Sequence, residues 1–424
     1  MSDLASVTWW LPGLGLLALA VLLYLLVRFA RGSQPSSPEA LVEIPKKRHA
    51  QRYALGELDK TLPTFDRKHP KFDHQSQGWR RVAKKVGRQL AKGGVHTVFY
   101  SHGTFVGNDP IGVTKVIQDL HPEIGRQLAS LASRLIKRGN DWLAKDLGNF
   151  PSDYIQLCRE SFGAGVHFET YRWSSANNHL ARLEGAIELS TTLAAAVTQD
   201  FDRQRHRLLL IGHSHAGQVF ALFTQLMGDS GLRAQLHELI LKEGLMPRQR
   251  LADTRGALHQ VKIDFVTLGT PPVYPWSLGS NHRLLHIINH RGEAPVGGSL
   301  SGLLVTKTGD YIQQYGASGS DILALTKRER QLNVILDDIL GRGISMTGWI
   351  NNLVNQRRLP TQGFTYLVDF KDNSRLRPNF LSTFMGHGVY TRYDSMLYLH
   401  RLIAQFFYQR AAWRGSKTFT SSTG

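Results

Sequence analysis

From Val95 onward, short apolar runs alternate with longer stretches in which apolar residues recur every three or four positions. The runs VHTVFYS (95–101), VHFETYRW (166–173), RLLLIG (207–212), KIDFVTLG (262–269), LLHIINH (284–290) and FTYLVDF (364–370) predict strands. Between them, HLARLEGAIELSTTLAAAV (179–197), AGQVFALFTQLMG (216–228) and LRAQLHELILKEG (232–244) predict helices. Alternating strand and helix predict an α/β domain, a mostly parallel sheet flanked by helices, over 93–410. Two stretches interrupt the alternation, 110–165 and 320–357. These helical insertions are read either as a cap whose apolar positions line a pocket or as added packing layers.

The N-terminus carries a different pattern. Val7 to Val27 reads VTWWLPGLGLLALAVLLYLLV, without a charged side chain. About 20 helical residues span a hydrocarbon core of about 30 Å. Trp9 and Trp10 at one end and Arg28 and Arg31 at the other suit the two interfaces. A cleaved signal would want a basic start and a small-residue cleavage site, and only Asp3 precedes the run. Residues 7–27 are therefore expected to be a transmembrane anchor. Arg28, Arg31, Lys46, Lys47 and Arg48 follow it and no cation precedes it, which puts the body on the cytoplasmic side. No second long apolar run occurs, so a single pass is expected.

Residues 32–92 form a polar linker, GSQPSSP, and then a basic segment. Between Lys46 and Lys92 there are 14 Lys/Arg against 4 Asp/Glu, a net of +10. The segment ends in a predicted helix, GWRRVAKKVGRQLAKGG, with Val82, Val86 and Leu90 on one face. That helix suits packing on the sheet, and its cations suit anionic lipid headgroups; the two readings are compatible. The whole chain repeats the bias, with 51 Lys/Arg against 33 Asp/Glu and a net charge of +18. Nucleic acid is not the expected partner, for zinc-finger spacing, RNA-binding aromatic signatures and helix-turn-helix patterns are all missing. With 42% hydrophobic residues the chain is not a disordered one, and the lone Cys158 rules out an internal disulfide.

The candidate chemistry starts at IGHSHAGQ, residues 211–218, where an apolar run stops at Gly212 and a helical pattern starts after Ser214. A nucleophile on so sharp a strand-to-helix turn needs small residues two before and two after it. Gly212 and Ala216 meet that need, with alanine where the strict G-x-S-x-G pattern has glycine. An acyl-transfer serine also needs backbone N–H donors for the developing oxyanion. His215 is expected to supply one, and Thr104 or Phe105, after the His102-Gly103 turn, the other. Of 18 histidines, His387 suits a general base, because Gly386 and Gly388 flank it in FMGHGVYTRYD after the last strand. No metal-binding set and no phosphate-binding loop accompany these residues, so no cofactor is expected.

Strand–His-Gly, strand–GHSHAG–helix, FVTLGTPP (265–272) and the late GHGVYT together resemble the α/β-hydrolase superfamily, nearest its lipase and esterase branch. The stretch FETYRWSSANNHLARLEGA (168–186) also resembles a strand-to-helix segment of bacterial hydrolases of this type. The resemblance covers roughly residues 95–409 and implies the chain order serine, acid, histidine. It implies an acid after the strand two beyond the nucleophile's strand, often in a G-D-x-V context. INHRGEAPVGG (288–298) fits that place and puts Glu293 there; Asp369 and Asp372 at the last strand are the alternatives. Anchor and resemblance together lead one to expect a membrane-anchored serine esterase acting on a carboxylic ester, a lipid-like one first. The contrasting expectation is a tethered binding protein on a non-catalytic hydrolase fold.

Overall fold

The computed structural model describes residues 50–54, 58, 63–66, 73–103, 149–163, 165–197, 200–228, 231–291, 309–315, 326–341, 356–371 and 386–409. The expected anchor 7–27 lies outside them, and among the described residues no helix is long and apolar enough to cross a membrane. The strands are β1 (Ala50–Ala54), β2 (Thr64–Asp66), β3 (Val95–Ser101), β4 (His167–Tyr171), β5 (Arg207–His213), β6 (Lys262–Leu268), β7 (His282–Asn289), β8 (Gln356–Pro360) and β9 (Phe364–Lys371). The helices are α1 (Gln77–Lys92), α2 (Ser152–Phe162), α3 (His179–Ala196), α4 (Ala216–Met227), α5 (Gly231–Lys242), α6 (Arg248–Leu258), α7 (Ile312–Tyr315), α8 (Lys327–Leu340) and α9 (Tyr393–Tyr408).

Seven strands form one parallel sheet in the order β2-β9-β7-β6-β5-β3-β4, with the three-residue β2 on its edge. The strand runs are apolar on both faces because both faces are covered. Thus β5 sends Leu208 and Leu210 into one core and Leu209 and Ile211 into the other. The first core is completed by α3, α4, α5, α6 and α8, the second by α1, α2 and α9. α4 is buried from Ala216 to Leu226, which explains why its sequence is apolar all round. The sharp α3 start comes from Asn178, whose side chain accepts the Ala181 N–H.

The fold extends beyond the expected start at 93. β2 pairs with β9, and β1 pairs antiparallel with β8, so residues expected in the linker are woven into the body. α1 buries Trp79, Ala83, Val86 and Leu90, whereas Val82, expected on the packed face, is 39% exposed. The described parts of the two insertions are packing layers. α2 seats Tyr154, Ile155 and Phe162 in the second core, and α8 seats Leu332, Leu336 and Leu340 in the first.

Candidate active site

β5 ends at His213 and α4 begins at Ala216. Ser214 lies between them at φ +56°, a left-handed conformation that costs a residue with a Cβ on the order of 1–3 kcal/mol. Neighbouring backbone holds it there. The Ser214 N–H donates to Leu268 O at 2.9 Å, and Thr270 Oγ1 donates to Ser214 O at 2.7 Å. A Cβ on Gly212 would stand 2.6 Å from the Phe220 ring and 3.2 Å from the Ala216 methyl. That is the crowding the sequence pattern anticipates, and alanine fits within it.

Gly103, at the end of β3, closes on the serine: a Cβ there would lie 2.6 Å from Ser214 Cβ and 3.2 Å from Oγ. The His102-Gly103 turn is fixed from the far side by residues that no sequence motif singles out. Trp173 Nε1 donates to His102 O at 2.9 Å, and Ser175 Oγ donates to Gly103 O at 2.9 Å. Ser175 is itself left-handed, at φ +67°. Thr104 and Phe105 lie outside the described residues. His215 caps the start of α4, where its backbone follows directly on the serine.

His387 follows Gly386, which takes φ +77° and leaves no room for a Cβ against the Gly309 carbonyl. The histidine loop is thereby pressed onto the segment that carries Asp310. His387 Nδ1 lies 2.9 Å from Asp310 Oδ2 and 3.0 Å from Oδ1, with the carboxylate wholly buried. Two more donors converge on Asp310: the Gln313 N–H on Oδ1 at 2.9 Å and the Tyr390 hydroxyl on Oδ2 at 2.8 Å. Burial first, then the Asp310 charge, push the Tyr390 phenol well above its ordinary range, so it stays a donor. Tyr390 Oη in turn accepts the Asn289 N–H at 2.7 Å, and Asn289 Nδ2 donates to Gly386 O at 2.9 Å.

Asp310, and not Asp369, is thus the described carboxylate that meets the His387 imidazole. Asp369 is instead paired with Arg291 at 3.0 Å, and Glu293 and Asp372 lie outside the described residues. A usable signal was present. Gly309-Asp310-Tyr311-Ile312 follows the G-D-x-V context with isoleucine for valine, about 20 residues after β7. Asp310 is returned to the sheet by its N–H, which donates to Asn289 O at 2.9 Å, and by the bridge between Gly309 and His290.

No family model, curated protein or solved structure matches the chain.

The geometry has clear chemical consequences. A carboxylate at Nδ1 accepts a hydrogen bond from the N–H there, which fixes the proton on Nδ1 and leaves the Nε2 lone pair as the basic site. His387 Nε2 is buried and has no hydrogen-bond partner, and no hydrogen bond joins it to Ser214 Oγ in this structure. The two loops are linked one residue away: His213 Nε2 donates to His387 O at 2.9 Å, and the two rings lie 4.4 Å apart. That bond occupies one imidazole of the HxH at 213–215. Among the described residues no group of three His, Cys, Asp or Glu is placed to hold a metal ion.

Proposed function

We propose that the protein is a serine hydrolase with the α/β-hydrolase fold. It cleaves carboxylic esters, lipid-like ones foremost, through Ser214, His387 and Asp310. Residues 7–27 anchor it in a membrane as a single pass, with the body on the cytoplasmic side. One observation carries the reading of the chemistry: the left-handed Ser214 and the buried Asp310–His387 pair lie at the carboxyl ends of β5, β7 and β9. Ligands of open parallel sheets bind at that end. The chain order serine, acid, histidine is also the one the resemblance implies.

In this mechanism His387 Nε2 takes the Ser214 proton as Oγ bonds to the ester carbonyl carbon. The missing Oγ–Nε2 hydrogen bond forms as substrate seats, a tightening that many catalytic contacts undergo. The oxyanion accepts the His215 N–H and a second N–H from the turn after Gly103, expected from Thr104. The imidazolium, stabilised by Asp310, passes its proton to the leaving alkoxide, and the alcohol departs from an acyl-serine. Water then gives a proton to Nε2 and attacks the acyl carbon. The acid leaves, and the proton returns to Ser214.

A fluorophosphonate probe on the full chain in detergent tests this. The expected result is a covalent adduct at Ser214, absent in Ser214→Ala and slowed about 10³-fold or more in His387→Ala. No adduct, or labelling indifferent to His387, would refute an activated serine and leave a binding protein on this fold.

A further inference from the structure

α1 has no acidic residue. Its inner side is buried against α2 and α9 through Trp79, Ala83, Val86, Gly87 and Leu90. Its outer side presents Arg80, Arg81, Lys84, Lys85, Arg88 and Lys92, all exposed. At 100° per residue these six cations cover an arc of about 140°, along a helix about 24 Å long. Among the described residues none of the six is ion-paired. Several stand four apart, such as Arg80 with Lys84 and Lys84 with Arg88, a spacing at which like charges destabilise a helix. An anionic partner laid along the arc would relieve that repulsion.

The direction of α1 matters as well. It returns to β3 through Gly93 and Gly94, so it runs antiparallel to the sheet strands. Its first turn therefore lies at the carboxyl end of the sheet, the end that holds Ser214. His74, just ahead of α1, agrees with this placement: its ring lies 5.6 Å from that of Tyr393, which opens α9 after the His387 loop. Arg80 and Arg81 are thus the cations nearest the catalytic end.

We infer that this face of α1 docks on the anionic phospholipid headgroups of a bilayer and holds the carboxyl end of the sheet beside the lipid. The choice of occupant rests on three features. The arc is uniformly positive, it carries no aromatic ring on which a nucleic-acid base could stack, and the uncharged run 7–27 lies upstream in the same chain. The inference leans on the proposed membrane anchor and is independent of ester hydrolysis.

The test uses the full chain in liposomes of phosphatidylcholine alone or with added phosphatidylglycerol, probed with an amine-reactive reagent. Co-flotation with the neutral liposomes reports the anchor separately. Phosphatidylglycerol should lower modification of Lys84 and Lys85 about fivefold or more, leave the exposed Lys242 and Lys327 unchanged, and lose its effect at high salt. Ser214→Ala should give the same pattern. The triple variant Arg80→Glu, Arg81→Glu, Arg88→Glu should lose the protection and keep probe labelling of Ser214. Equal modification in both liposomes would overturn the inference. So would protection by an oligonucleotide at lower concentration than by the anionic lipid, which would make the partner a nucleic acid.

Discussion

Tyr390→Phe removes one oxygen and leaves the ring, which packs 5.4 Å from Phe370 and 5.8 Å from His213. Two bonds go with that oxygen. The 2.8 Å donation to Asp310 is made to a buried carboxylate, and a hydrogen bond to a charged group contributes about 1.5–3 kcal/mol. The Asn289 N–H would be left without its 2.7 Å acceptor, and an orphaned buried donor costs about 1–3 kcal/mol. Unfolding free energy from denaturant titration in detergent should therefore fall by about 2.5–6 kcal/mol. Asp310 would keep Gln313 and His387 as donors, so the acid stays in place but carries more negative charge toward the imidazole. Ester turnover should drop about 10- to 100-fold in kcat with little change in KM. A stability loss with unchanged turnover would make Tyr390 a packing residue only. Stability unchanged within about 0.5 kcal/mol would refute the account of the network altogether.

Ser214→Ala and His387→Ala should each lower ester turnover by about 10⁴–10⁶, with the double variant scarcely worse, because the pair acts as a unit. Asp310→Asn should cost at least about 100-fold more turnover than Asp369→Asn, and the reverse ranking in steady-state assays would move the acid to β9. Burial pushes His286 and His400 down to about 4, so the folded chain refuses protons that the unfolded chain accepts below its ordinary value of 6.5. Stability should therefore fall as pH drops from about 6.5 to about 4, by about 1.4 kcal/mol per pH unit for each histidine. Denaturation midpoints taken across that range check it, and His286→Gln should flatten the slope.

Much of this fold was legible because buried parallel strands have to be apolar on both faces. All six expected strands are present within two residues at either end, and α3 and α4 within one. β8 escaped notice because QRRLP is short, carries two arginines and buries its inner face through Arg357 and Leu359, only one of which is apolar. α6, RQRLADTRGAL, buries only Leu251, Thr254 and Leu258, too few apolar positions to stand out from a solvated turn. At the site, Ser214 and His387 were readable because small neighbours mark strained turns. Asp310 was missed because it lies far behind β7 in sequence, and its bonds to Gln313 and Tyr390 depend on folding. Trp173 and Ser175 act on His102 and Gly103 across about 70 residues of chain, a pairing that no local pattern records.

The return of Asp310 to Asn289 has a consequence for how freely this chain can change. Gly309 bridges His290 and the Asp310 N–H donates to Asn289 O, so the two points on the chain are clasped by backbone bonds. The acid's position is thus set at the clasp and not by the length of what lies between. Closing a loop costs only about 0.6 kcal/mol more each time its length doubles. The sequence at 292–308 can accordingly be lengthened, shortened or exchanged at small cost while the Asp310–His387 pair stays where it is.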